Sequence, residues 1–346
     1  MSRILFACNA VLVRNNGIVR FMIDAARILR HAGHTVDFVT DNVTEIDITQ
    51  EYDNYYQPLD AARYPDLVRN GLPHILYLPH ISNRIRDVFR EQASHNHYDV
   101  IIGNDVHSTS AFVDLGMNVV HYTHTSALLG EKNYTFLSDS YVQMEKEVMQ
   151  YCRVGVPTQY MVNKFTDLDT VHLGVPLDNW QMYYNDDLTD RKGVLFLGEG
   201  TLRKGADTFV DVMSKLDLPV RLAVSATPEE DFSTLTNVTK TQFHPHEEAQ
   251  KVNFIKQSRL MYFPSRSEVC SYSVVESLLS QPVLISKNYE WNNNARELGA
   301  MEVDDSDAVN VIQRVYHRDY VDYSPNRVVE YLERTTEQWK NLADGV

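Results

Sequence analysis

The sequence predicts an α/β protein built from two domains, each with a parallel sheet. Three observations lead there. Short, almost wholly apolar runs such as Ile4-Leu5-Phe6-Ala7-Cys8 and Asp99-Val100-Ile101-Ile102-Gly103 read as strands buried on both faces. Such runs alternate along the chain with helical patterns, which is the mark of βαβ units. A length of 346 residues is enough for two ordinary domains. The apolar fraction of 43% and charged fraction of 23% are those of a globular chain rather than a disordered one.

In order, the strand at Ile4 to Cys8 leads into a loop with the turn signal Asn15-Asn16-Gly17. A helix follows from Ile18 to Ala32, with Ile18, Phe21, Met22, Ala25, Ile28 and Leu29 on one stripe, and Gly33 ends it. Thr35 to Thr40 is the next strand. The dinucleotide fingerprint GxGxxG is missing from this βαβ unit, so nicotinamide or flavin binding is not indicated. Residues 42–80 are rich in Tyr, Asp and Pro and give only a short strand at Ile75 to Leu78. Ile81 to Glu91 looks helical and carries Arg84, Arg86 and Arg90. Further strands are expected at 99–103, 118–124 and 154–158, with helices at 138–151 and 159–165, and the segment Thr170 to Pro176 closes the first domain.

Residues 177–192 lack apolar periodicity and are dense in Asp and Asn, so they read as the inter-domain linker. The second series has strands at 193–198, 220–224, 241–243, 260–263 and 283–285. Its helices are expected at 206–216, 246–257 and 273–280, and a terminal helix at Arg327 to Leu342 carries Trp339.

The net charge of −15 argues against generic binding to polyanions. Its distribution is uneven: residues 1–100 hold ten arginines, no lysine and twelve acids, and the first lysine is Lys132. An arginine-only half presents planar forks suited to phosphates, or reflects drift in composition. No apolar run reaches the roughly 18 residues that a membrane span needs. The N-terminus begins directly as a strand, without the pattern of a signal peptide. Three widely spaced cysteines, Cys8, Cys152 and Cys270, fit a reducing, cytoplasmic setting rather than a disulfide framework or a zinc site.

Two strand-to-helix loops of the second domain are candidate anion sites. One is GEGTLRKG, residues 198–205, with Arg203 and Lys204 among Gly198, Gly200 and Gly205; it lacks the GK[ST] ending of a Walker loop. The other is EVCSYSVVE, residues 268–276, where Ser271 and Ser273 are candidate N-caps and two glutamates stand eight positions apart. A helix start offers unpaired N–H groups to a phosphate. Taken alone, this stretch reads first as an ordinary capped helix with two solvated glutamates. In a parallel sheet, both loops belong to the same edge, so a diphosphate held between Lys204 and the Ser271 helix start is a consistent picture. In the first domain, His124 ends a strand at such an edge, where a histidine can move a proton or donate a hydrogen bond. His107, His121, His244 and His246 read as structural, and no set of residues has the spacing of a metal site.

These motifs resemble family 4 retaining glycosyltransferases of the GT-B fold over nearly the whole chain. The resemblance rests on Glu268 and Glu276 at their spacing, Phe263-Pro264-Ser265 before them, Gln281-Pro282-Val283 after them, Gly198 with Lys204-Gly205, His124, and the segment His172 to Pro176. It implies two Rossmann-like domains facing a cleft, with the terminal helix crossing back to the first. The first, acceptor-side domain spans 1–178 plus the terminal helix 327–346, and the nucleotide-sugar domain spans 190–326. It also implies transfer of a sugar from a nucleoside diphosphate sugar, most simply a UDP-sugar, to an acceptor hydroxyl, with retention and with no metal or other cofactor. Glu268, His124 and Lys204 would be the catalytic set. Gly17, Arg203, Lys204, Cys270, Ser271, Tyr272 and Glu276 would bind the donor, Glu276 through its ribose. One subclass glycosylates hydroxymethylated bases in phage DNA, within the host cytoplasm; there Arg20, Arg84 and Arg86 would lie on the acceptor side. A carbohydrate or lipid-linked acceptor is the alternative. The chain departs from the family at Glu199, where an arginine is usual, at Val269 to Ser271, where small glycines are usual, and at Asn16-Gly17, where paired glycines are usual. The Glu199 departure keeps a non-catalytic sugar-nucleotide binding protein in view.

Overall fold

The structure is a computed structural model and describes residues 1–12, 17–43, 54–56, 87, 89–91, 94, 96–124, 129, 139–224, 231–241, 248–317 and 323–345. The chain divides into two compact units. One collects residues 1–128, 135–178 and 334–346, the other residues 129–134 and 179–333.

The first unit holds β1 (Arg3–Leu12), β2 (Thr35–Val43), β3 (Asn54–Tyr56), β4 (Val100–Gly103), β5 (Val119–Tyr122), β6 (Arg153–Val156) and β7 (Thr170–His172). They form a seven-stranded sheet in the order β3-β2-β1-β4-β5-β6-β7, with every pairing parallel. The order reverses between β1 and β4, which opens a crevice beyond their carboxyl ends. The helix Gly17–His31 buries the stripe read from the sequence, including Phe21, Met22, Ala25, Ile28 and Leu29.

The second unit holds β8 (Val194–Gly198), β9 (Val220–Val224), β10 (Val238–Thr241), β11 (Leu260–Phe263), β12 (Val283–Ser286) and β13 (Met301–Val303). Their order is β10-β9-β8-β11-β12-β13, again parallel throughout, with its reversal between β8 and β11. Phe196, Phe209, Tyr262, Leu284 and Ile312 are central to its core. The expected α/β architecture of two parallel-sheet units is therefore present.

Several details differ from the sequence reading. The strand expected at 241–243 lies earlier, at Val238–Thr241, and Gln242 and Phe243 fall outside the described residues. So do most of residues 42–86, including the strand expected at Ile75 to Leu78. The segment read as a linker is folded against the second unit. Tyr183 is fully buried, Asn185 N–H donates to the Leu279 carbonyl at 3.0 Å, and buried Arg191 donates to the Ser280 and Asn185 carbonyls. Its backbone groups and one aromatic anchor do what apolar periodicity would otherwise do.

The terminal helix Asn326–Asp344 begins in the second unit and from Arg334 onward belongs to the first. Its second half docks on the segment after β7. Gly174 N–H donates to Gln338 Oε1 at 3.1 Å, and Trp339 Nε1–H donates to the Gly174 carbonyl at 3.0 Å. A Cβ on Gly174 would sit 1.8 Å from Thr335 Oγ1, so only glycine permits this approach. Trp339 is wholly buried among Phe6, Phe21 and Tyr122, with centroids 6.2, 5.4 and 6.1 Å away. Trp339→Ala is expected to destabilise the protein by about 3 to 5 kcal/mol, the range for truncating a buried aromatic, and urea denaturation measures it.

Candidate functional site

In the second unit the two loops flanking the reversal point meet. The loop after β8 turns back at Gly205, whose φ is +72°, and a Cβ there would lie 2.1 Å from the Pro264 carbonyl oxygen. Only glycine lets the β8 loop lie against the start of the β11 loop. This contact brings Lys204 to Glu268. Their ammonium and carboxylate form an ion pair, and Ser265 Oγ donates to the same carboxylate oxygen at 3.0 Å. Lys204 Nζ also lies 5.7 Å from the centre of the Phe263 ring. Glu268 is 8% exposed, so its charge is held by these partners rather than by bulk water.

Arg203 is committed elsewhere. It donates to Glu199 Oε2 at 3.0 Å and to the Ser267 carbonyl at 3.3 Å. The acid at position 199 thus neutralises the arginine four residues on, which leaves Lys204 as the cation of the pair with Glu268.

The helix after Glu268 spans Tyr272–Leu278. Ser271 takes the N-cap position but makes no side-chain capping bond, and Ser273 lies inside the helix; as a cap it is corrected. Serine as a type is compatible with several first-turn positions, and only the backbone angles choose among them. Tyr272 opens the helix half-buried, and burial pushes the Cys270 thiol up to about 12, so it stays protonated near neutrality; its side chain bonds Tyr331.

The picture of two solvated glutamates is overturned, because Glu276 is fully buried. Its Oε1 takes an ion pair from Lys251 Nζ at 2.6 Å, and Lys251 sits 5.8 Å from the Tyr183 ring, whose hydroxyl donates to Glu248 at 3.1 Å. Lys251 was not singled out from sequence. It lies on the helix Glu248–Lys256, 25 positions from its partner, and a lone lysine on a mixed helix carries no signal by itself. Lys251→Met would strand a buried carboxylate, a change worth about 3 kcal/mol, the lower end of the range because Lys251 keeps 19% of its side chain exposed. The expected result is a thermal midpoint lowered by several degrees, regained in part by adding Glu276→Gln.

In the first unit, His124 lies two residues beyond β5, and Asn104 directly follows β4. His124 Nε2 is 2.9 Å from Asn104 Oδ1. The ring is packed edge-on to Phe21 at 4.7 Å and tilted to Tyr122 at 4.8 Å. Burial, and after it the neighbouring His121, push His124 down to about 3, so it is neutral near pH 7. Gly17 opens its helix with nothing within 4 Å of a notional Cβ. Arg20 pairs with Asp24 at 3.5 Å on the same helix. Arg84 and Arg86 lie outside the described residues, as do Asn16, His244 and His246. His121 is buried, with Thr109 Oγ1 at 2.7 Å and Glu145 Oε1 at 3.3 Å, and His107 is buried too. Among the described residues no group of three His, Cys, Asp or Glu side chains is placed to hold a metal ion. No helix among them is long and apolar enough to cross a membrane.

No protein-family model matches the chain, and no curated protein matches its sequence. Solved structures do match its fold. The sucrose-phosphate synthase of Thermosynechococcus elongatus is 16% identical with a TM-score of 0.67, over 99% of this chain and 95% of that one. Anabaena HepE, solved in complex with UDP and glucose, is 11% identical with a TM-score of 0.68, over 99% and 96%. An E. coli trehalose-6-phosphate protein bound with UDP-2-fluoro glucose is 11% identical with a TM-score of 0.64, over 99% and 98%. At such identities the likeness speaks to architecture: the chain has the two-sheet α/β fold of GT-B glycosyltransferases from end to end.

Proposed function

We propose that this protein is a glycosyltransferase that moves a sugar from a nucleoside diphosphate sugar, of the UDP type, to an acceptor hydroxyl with retention of configuration. The observation that carries this reading is the Lys204–Glu268 pair, its carboxylate buried, at the reversal point of the second sheet. A crevice at that point is where such sheets take nucleotides. The pair offers the two groups that transfer of a glycosyl unit requires: a cation for the charge that grows on the departing diphosphate, and a carboxylate that accepts hydrogen bonds from sugar hydroxyls. With a protein cation in that role, the reaction needs no metal. The matched structures solved with UDP and glucose and with UDP-2-fluoro glucose support the donor class.

In this reading the backbone around Cys270, Ser271 and Tyr272 meets the donor, buried Glu276 is held behind it by Lys251, and in the first unit His124 is available to a sugar hydroxyl. The loss of the usual arginine at Glu199 does not remove the diphosphate cation, because Lys204 supplies it. Of the arginines placed on the acceptor side, Arg20 is the one described, and it is paired with Asp24 on its own helix. With the net charge of −15, which disfavours a polyanion, this makes a carbohydrate hydroxyl the acceptor favoured over a hydroxymethylated DNA base.

The test is a donor screen that follows nucleotide release from several sugar nucleotides, alone, with oligosaccharides, and with hydroxymethylated duplex DNA. Release that depends on an acceptor and falls in Glu268→Ala is the expected result. Donor binding with no release under any condition would mark a binding protein instead. Stimulation by DNA that weakens steeply with salt would reverse the choice of acceptor.

A further inference from the structure

Asn104 is buried, and its amide orientation is dictated by what surrounds it. Its Nδ2 lies 3.3 Å from the Ala7 carbonyl oxygen and 3.3 Å from the Ile102 carbonyl oxygen. Carbonyl oxygens only accept hydrogen bonds, so the NH2 group must be on that side. The backbone adds to the hold, because Asn104 N–H donates to Ala7 at 2.9 Å. Asp105 next to it caps the helix Val106–Ser110 by accepting from His107 N–H and Ser108 N–H at 2.9 Å each. Asn104 Oδ1 is therefore fixed toward His124 Nε2 at 2.9 Å. An amide oxygen has lone pairs and no hydrogen, so Nε2 must carry the proton.

We propose that Asn104 is a positioning residue that locks His124 as the neutral Nε2–H tautomer, so that Nδ1 is presented as an acceptor for a sugar hydroxyl. The sugar's part rests on the glycosyltransfer reading; the tautomer does not. The groups packed on the ring are Phe21 from the helix Gly17–His31, Tyr122 from β5 and, behind them, Trp339 of the terminal helix. They are apolar or aromatic faces that keep the ring desolvated. His121, from the same strand, is the titratable neighbour that acts on it, and it is turned to Thr109 and Glu145. The consequence is a division of labour. His124 orients a hydroxyl by accepting from it, and it neither delivers a proton nor carries positive charge during turnover.

Nitrogen NMR of histidine-labelled protein tests this without any substrate, with His124→Gln to assign the resonances. The expected result is a His124 ring protonated at Nε2 and bare at Nδ1, without titration across roughly pH 5 to 8, where an ordinary histidine changes charge. An imidazolium, or a proton on Nδ1, overturns the proposal. In Asn104→Leu the amide oxygen that holds the Nε2 proton is gone, so the ring proton should no longer be confined to Nε2. A folded Asn104→Leu protein whose His124 keeps the wild-type state also overturns it, since the tautomer would then be set by something else. Adding UDP-glucose should shift the Nδ1 resonance; binding seen by calorimetry with Nδ1 unmoved overturns the acceptor role. If no sugar nucleotide binds, the glycosyltransfer reading fails, while the tautomer is still decided in the donor-free protein.

Discussion

Lys204→Met should lower turnover by roughly two to three orders of magnitude, the loss typical when one group aimed at a developing anionic charge is removed. Two features make the effect large. Arg203 is held by Glu199 and the Ser267 carbonyl, so it does not stand in for the lost cation. The ammonium also neutralises Glu268, which is only 8% exposed. The variant is therefore expected to lose stability as well, by about 3 kcal/mol, because a buried carboxylate is left without its partner. Turnover and a denaturation midpoint measured on the same preparation separate the two effects. Wild-type turnover in Lys204→Met would remove this lysine from the chemistry.

Glu268→Gln is the second large effect, with a fall in turnover of about a hundredfold or more. The amide keeps the shape of the carboxylate and can still accept from Ser265, so folding should change far less than in Lys204→Met. What is lost is the charge, and with it the stronger hydrogen bonds that an ionised acceptor forms with hydroxyl donors. The double variant is the informative one. With both charges gone it should regain much of the stability lost in Lys204→Met, yet remain as inactive as either single variant, because the two groups act as a unit. Independent, multiplying losses in turnover would mean that the pair is not one functional element.

The central parallel strands were legible because nearly all of their residues are buried: Val220–Val224 and Leu260–Phe263 coincide with the runs read from sequence, whereas the exposed edge strand Val238–Thr241 did not. Short elements were not. Met301–Val303 and Asn54–Tyr56 are three residues each, too brief for a period to register, and the helix Val106–Ser110 is a single turn of small and polar residues. At the candidate site, the glycine loop and the two glutamates were visible as local spacings. Their partners were not, because Lys251 finds Glu276 and Asn104 finds His124 only through the fold, across 25 and 20 positions. Glu199 carries a sequence signal with a structural answer: it is matched by Arg203, four residues on in the same loop.

The contact of Gly205 with Pro264 has a bearing on how this site can change. Any other residue at 205 adds a Cβ where a backbone oxygen already stands, and would do so at a φ of +72°. Neither loop has freedom to drift by itself, so altered donor preference has to come from the side chains they carry. A variant library directed at another sugar nucleotide should hold positions 205 and 264 constant and diversify Glu199, Arg203 and Val269 to Tyr272. Libraries that also randomise position 205 should return mostly unfolded or inactive clones, with glycine recovered among the survivors.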